Sequence, residues 1–93
     1  MRLPLVFTRP SAECTPESGY TRNISSGGVL FATERAPYPG DAIEYVVTLP
    51  GGSQRALTVR CMGKVIRCEP RFDAGPPFHV AATMERYEFV RSG

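Results

Sequence analysis

The residues best suited to chemistry cluster in Thr21-Arg22-Asn23-Ile24-Ser25-Ser26-Gly27-Gly28-Val29-Leu30-Phe31. Asn23, Ser25 and Gly28 form an N-x-S-x-x-G pattern, with Arg22 just before it. Asn and Ser carry short side chains that bond to the polar edge of a planar ligand or to nearby backbone. Adjacent glycines permit positive φ and let backbone approach a flat ligand closely. Arg22 adds a guanidinium, which binds anions in a planar, bidentate fashion. This is recognition chemistry rather than bond-making chemistry. The plain alternative is an Asx or Ser turn joining two strands. Average composition yields such a pattern in roughly one chain in twenty, so its surroundings have to decide.

The other reactive residues assemble no catalytic set. His79 is the only histidine, so no second imidazole can share a metal, and no nucleophile elbow accompanies it. Cys14, Cys61 and Cys68 are odd in number and contain no CxxC pair. That argues against a disulfide framework and against a zinc site. Cys61 falls in the core phase of its strand, Cys68 in the opposite phase, and Cys14 in a loop. The Asn23-Ile24-Ser25 sequon has no secretory leader before it and is discounted. The expectation is a non-enzyme that needs no metal and no cofactor.

The elements that position Asn23 and Ser25 are strands. Nine glycines and nine prolines make up about a fifth of the chain, a composition that disfavours helix interiors. Leu3–Thr8 reads as a first strand, placed at an edge or a strand start by Pro4. Pro10–Ser18 reads as a loop. Tyr20–Ile24 and Gly28–Thr33 are short strands split by Ser25-Ser26-Gly27. Tyr38-Pro39-Gly40-Asp41 is a turn.

Ala42–Leu49 alternates cleanly, with Ile43, Tyr45, Val47 and Leu49 on one face. Pro50-Gly51-Gly52-Ser53 turns the chain into Ala56–Arg67. There Leu57, Val59, Cys61, Gly63 and Val65 share a face, and Gly63 marks a bend or bulge. Pro70–Pro77 is a loop. A last long strand from Phe78 puts Val80, Ala82 and Met84 inside and His79, Ala81, Thr83 and Glu85 outside. The tail from Met84 to Val90 fits either period; its charged part, Glu85 to Arg91, reads most simply as the solvated end of that strand, with the start of a linker or short partner-contacting helix as the alternative. The spacing predicts an all-β fold with little or no helix. About six antiparallel strands would curl into a small barrel, because closure removes exposed edges.

The 93 residues make one small domain, residues 1–93. Their extent is consistent with a piece of a longer protein. Hydrophobic residues are 42% of the chain, enough to fold. Net charge is only +2, too weak for a protein that coats a nucleic acid polymer. Lys64 is the sole lysine among eleven basic residues, so the cationic chemistry is guanidinium chemistry. No apolar run reaches the ~20 residues of a membrane span, and the start does not read as a signal peptide. A reduced, cytoplasmic setting is expected.

Taken together, the features resemble a PilZ domain. Arg22 and the N-x-S-x-x-G pattern precede the apolar strand Val29-Leu30-Phe31. The Pro39-Gly40-Asp41 turn, an alternating strand, a long strand ending Gly63-Lys64-Val65-Ile66-Arg67 and a closing strand from Phe78 follow in order. The family's D/N-x-S-x-x-G signature is matched by Asn23, Ser25 and Gly28. Of its R-x-x-x-R signature, Arg2 looks like the second arginine running into the first strand. Arg9 lies seven residues from Arg2 and does not complete the pair, so the chain is either a piece trimmed inside the motif or a member that has lost it.

The resemblance implies a bacterial six-stranded barrel that binds cyclic di-GMP and relays the signal to an attached domain or protein partner. Asn23, Ser25 and Gly28 would form the guanine loop. Arg2 would contact phosphate or stack on guanine, with Arg22 an adjacent candidate. The incomplete arginine pair favours an alternative, a PilZ-like barrel that binds no nucleotide and serves as a protein-interaction module. An OB-like single-strand binder shares the architecture, but the weak charge and sparse aromatic interleaving count against it.

Overall fold

The computed structural model describes residues 3–8, 16–35, 37–49, 57–71 and 77–91. Seven strands run through them: β1 (Pro4–Thr8), β2 (Glu17–Ser25), β3 (Gly28–Thr33), β4 (Ala42–Leu49), β5 (Leu57–Pro70), β6 (Phe78–Thr83) and β7 (Arg86–Arg91). No helix occurs among the described residues. Neighbours pair in the order β4-β1-β2-β3-β6-β5, and β5 returns to pair with β4. Every pairing is antiparallel. The result is the closed six-stranded barrel expected from the alternation.

The alternation also names the interior. Leu5, Phe7, Val29, Phe31, Ile43, Tyr45, Val47, Val59, Cys61, Val65, Val80 and Ala82 are buried together. Removing one such aliphatic or aromatic side chain from water is worth about 1.5–3 kcal/mol. The Phe7 and Phe31 rings meet at 5.2 Å between centroids, tilted by 51°, a favourable aromatic geometry. Tyr45 is fully buried, and its hydroxyl donates to the Thr83 carbonyl at 3.0 Å.

Four expectations need correcting. The β2 strand begins at Glu17, inside the stretch read as loop, because Glu17 to Tyr20 find partners on β1. The long last strand is two strands, broken at Met84-Glu85. The β6 strand pairs with the second half of β5, and β7 with the first half. The charged tail is therefore a seventh strand on the barrel's flank, with β5 as its only strand neighbour among the described residues.

The β5 bulge lies between Val65 and Arg67, not at Gly63. Gly63 instead serves close approach, since a Cβ there would collide with the Thr83 carbonyl oxygen. The same bulge reverses the alternation, so Cys68 lies opposite buried Val80 and packs against the core. Cys61 and Cys68 are both free thiols.

Tyr38 to Asp41 form the expected turn. The Asp41 N–H donates to the Tyr38 carbonyl at 3.0 Å, and Gly40 has φ +91°. Positive φ at the third residue marks a type II turn. Arg2, Arg9, Cys14, the Pro50–Ser53 turn and residues 72–76 lie outside the described residues.

Candidate functional site

The β2–β3 hairpin carries the N-x-S-x-x-G residues. Ser25 pairs with Gly28 across a two-residue turn, Ser26-Gly27. Two register steps up, past Ile24 and Val29, Asn23 lies opposite Leu30, and the next pair is Thr21 opposite Phe31. Arg22 has no register partner, so it is the extra residue of a β-bulge. Bulges re-aim side chains, and here Arg22 joins Asn23 and Ser25 among the exposed residues while Thr21 stays buried.

Asn23, Ser25 and Gly28 border one shallow groove of about 230 Å³, together with Leu30, Ile66 and Ala81. An amide and a hydroxyl thus edge an apolar strip. Such a surface accepts a flat ligand on its face and hydrogen-bonds its rim. Ile66 is the bulged residue of β5 and stands 59% exposed. The sequence reading does not place Ile66 here. A signal was available: the apolar phase of β5 runs on odd positions to Val65, then shifts to Cys68.

The roles of the glycines differ from the expectation. Neither Gly27 nor Gly28 has positive φ. Close approach holds at Gly28, but what approaches is protein: an added Cβ would lie 2.5 Å from the Ala82 carbonyl oxygen of β6. Gly28 therefore lets β3 and β6 pair tightly under the groove. The plain turn reading is also present in part, since the Gly27 N–H donates to Ser25 Oγ at 3.4 Å.

Arg2 falls outside the described residues, but its neighbour Leu3 is placed. The Leu3 N–H donates to buried Thr21 Oγ1 at 2.9 Å, and the Thr21 N–H returns a bond to the Leu3 carbonyl at 2.9 Å. The start of the chain is therefore anchored one residue from Arg22.

A second cavity, about 440 Å³, is lined by Ala42, Glu44, Met62, Lys64, Glu85 and Arg86 among others. It is larger, but it mixes charges of both signs and touches none of the N-x-S-x-x-G residues. The hairpin groove is the better candidate because its polar groups converge on one apolar floor. His79 is half-buried on β6. Among the described residues, no three His, Cys, Asp or Glu side chains are grouped to hold a metal. None of their elements is a helix long and apolar enough to cross a membrane.

Among the described residues, the Cys61 and Cys68 thiols are not activated. Burial pushes Cys61 up to about 11, slightly offset by its hydrogen bond with Tyr45. Burial, followed by the Glu69 charge, also raises Cys68. A nucleophilic cysteine needs the opposite shift.

The PilZ domain family matches this chain over residues 1–86. No curated protein and no solved structure matches it.

Proposed function

The chain belongs to the PilZ domain family, and from that footing we propose that it is a cytoplasmic cyclic di-GMP receptor. It would relay the signal to an attached domain or protein partner. The family is one of binding and adaptor domains rather than catalysts. The observation that carries the reading is the groove, where Asn23 and Ser25 edge an apolar floor and the β2 bulge sets Arg22 beside them.

In this reading a guanine lies on the floor formed by Leu30 and Ala81. The Asn23 amide and the Ser25 hydroxyl bond its edge. Arg22 and Arg2 neutralise phosphate or stack on a guanine face, both of which suit a planar guanidinium. A single charge-assisted contact of that kind contributes about 1.5–3 kcal/mol, or about ten- to 150-fold in affinity. Ligand binding would order the N-terminal segment against β2, with the Leu3–Thr21 bonds as its anchor. A shift of that kind requires contacts made only in the bound state, and Arg2 would supply them.

Calorimetric titration with cyclic di-GMP, with GTP as a control, tests the reading. Saturable binding at micromolar concentration or tighter, lost in Asn23→Ala and Ser25→Ala, is the expected result. The second reading is a protein-interaction module that binds no nucleotide. It is favoured by β7, whose Tyr87 and Phe89 rings meet edge to face at 5.9 Å and are both mostly exposed. Absence of heat up to high ligand concentration would leave that reading standing.

A further inference from the structure

The registers of four strands align into a line that runs through the groove and past it. Asn23 on β2 lies opposite Leu30 on β3, Leu30 opposite Ala81 on β6, and Ala81 opposite Arg67 on β5. Residues directly opposite in an antiparallel pair point to the same face of the sheet. Asn23 and Arg67 therefore stand on the outer face at the two ends of one row, with only Leu30 and Ala81 between them. At about 4.8 Å per strand the row spans roughly 14 Å.

The β5 bulge is what puts Arg67 there. Val65 is buried, and without an extra residue Arg67, two positions on, would point inward as well. The bulge at Ile66 turns Arg67 outward and Cys68 inward. The groove is thus flanked by two bulges on two strands. One exposes Arg22 beside Asn23, and the other exposes Arg67 beyond Ala81.

Arg67 is held only weakly. Its Nε lies 3.4 Å from Glu69 Oε1, with the two side chains 64% and 61% exposed. Ion pairs this open are readily exchanged for a better anion. A phosphate offers bidentate acceptors at higher charge.

We propose that Arg67 is the phosphate-binding arginine on the far side of this groove. A purine nucleotide would lie with its base on Leu30 and Ala81, its edge on Asn23 and Ser25, and a phosphate on the Arg67 guanidinium. This rests on the nucleotide reading above and extends it to a residue outside both family signatures.

The test is calorimetry with cyclic di-GMP on the wild-type chain, on Arg67→Met, and on Arg60→Met as a control. Arg60→Met removes the same charge from the other half of β5, where Arg60 pairs with Glu88 at 3.3 Å. Arg67→Met should bind about ten- to 150-fold more weakly, with a flatter dependence on salt. Arg60→Met should stay within about two-fold, as expected for a screened, remote charge. Both variants change exposed side chains, so thermal unfolding should confirm an intact fold. Wild-type binding that Arg67→Met leaves unchanged overturns the Arg67 assignment alone. Equal losses in both variants overturn it too, by reducing it to net charge. A silent wild-type chain overturns the nucleotide reading, and this assignment with it.

Discussion

Leu3 and Thr21 hold each other through two hydrogen bonds. The backbone N–H of Leu3 meets the Thr21 hydroxyl, and the backbone N–H of Thr21 meets the Leu3 carbonyl, each at 2.9 Å. Thr21 is completely buried, so the first of these bonds has no water to replace it. The pair couples the start of the chain to the strand that displays Arg22 and Asn23.

Thr21→Val keeps the shape of the side chain and removes the acceptor. The Leu3 N–H then loses its buried partner, at a cost of about 1–3 kcal/mol. Urea unfolding should show this loss, and hydrogen exchange at Leu3 should accelerate beyond the global change. Unchanged exchange at Leu3 would mean that the chain start is held by something else.

The two adjacent glycines of the hairpin should respond in opposite ways. Gly28→Ala forces a Cβ against the Ala82 carbonyl, and backbone cannot yield as a side-chain tip can. A loss of about 1–3 kcal/mol is expected without any ligand present. Gly27 has open space around its Cβ position and no positive φ. Gly27→Ala should be neutral or stabilise by up to about 1 kcal/mol, through the unfolded chain. Equal effects at both sites in thermal melts would contradict the close approach at Gly28.

Alkaline pH should weaken the fold. Cys61 shifts from 9.0 to about 11 through burial, and burial also raises its hydrogen-bond partner Tyr45. A raised acid pKa means that the folded state keeps a proton the unfolded state has lost. The associated stability is complete below about pH 9 and disappears as pH climbs towards 11. The thiol's share is on the order of 2 kcal/mol. Urea midpoints measured from pH 8 upward should fall, and less steeply in Cys61→Ala. In the native state, Cys68 should react with an alkylating reagent before fully buried Cys61.

Tyr45→Phe removes the donor to the Thr83 carbonyl at the junction of β6 and β7. The expected cost is about 1 kcal/mol. Amide exchange should rise chiefly at Met84 and Glu85, whose N–H groups bond to Gly27 and Met62 across that junction. A uniform change across all strands would show that the bond contributes only to global stability.

Much of the barrel was legible because burial on a closed sheet imposes a strict period of two. Ile43, Tyr45 and Val47 announce their strand, and Leu57, Val59 and Cys61 announce theirs, before any partner is known. The N-x-S-x-x-G residues were legible for a different reason. Their side chains are short, polar and close in sequence, so one hairpin suffices to bring Asn23 and Ser25 onto one rim.

Period-two alternation puts Cys68 on the outer face and Arg67 on the inner one, and the structure reverses both for one reason. A bulge is an extra residue relative to a partner strand, and the partner of Ile66's neighbours is β6, over a dozen residues away in sequence. Nothing local counts residues on a strand that has yet to pair.

Local residue types, acting through alternation and turn chemistry, determined the strands, the barrel's inner face and the polar rim of the groove. Tertiary pairing decided the rest. It set the bulges that turn Arg22 and Arg67 outward, the division of the last strand at Met84-Glu85, and the backbone contact that requires glycine at position 28. Each depends on register between strands distant in sequence, and register is fixed only when the whole sheet closes and every buried N–H and C=O must find its partner.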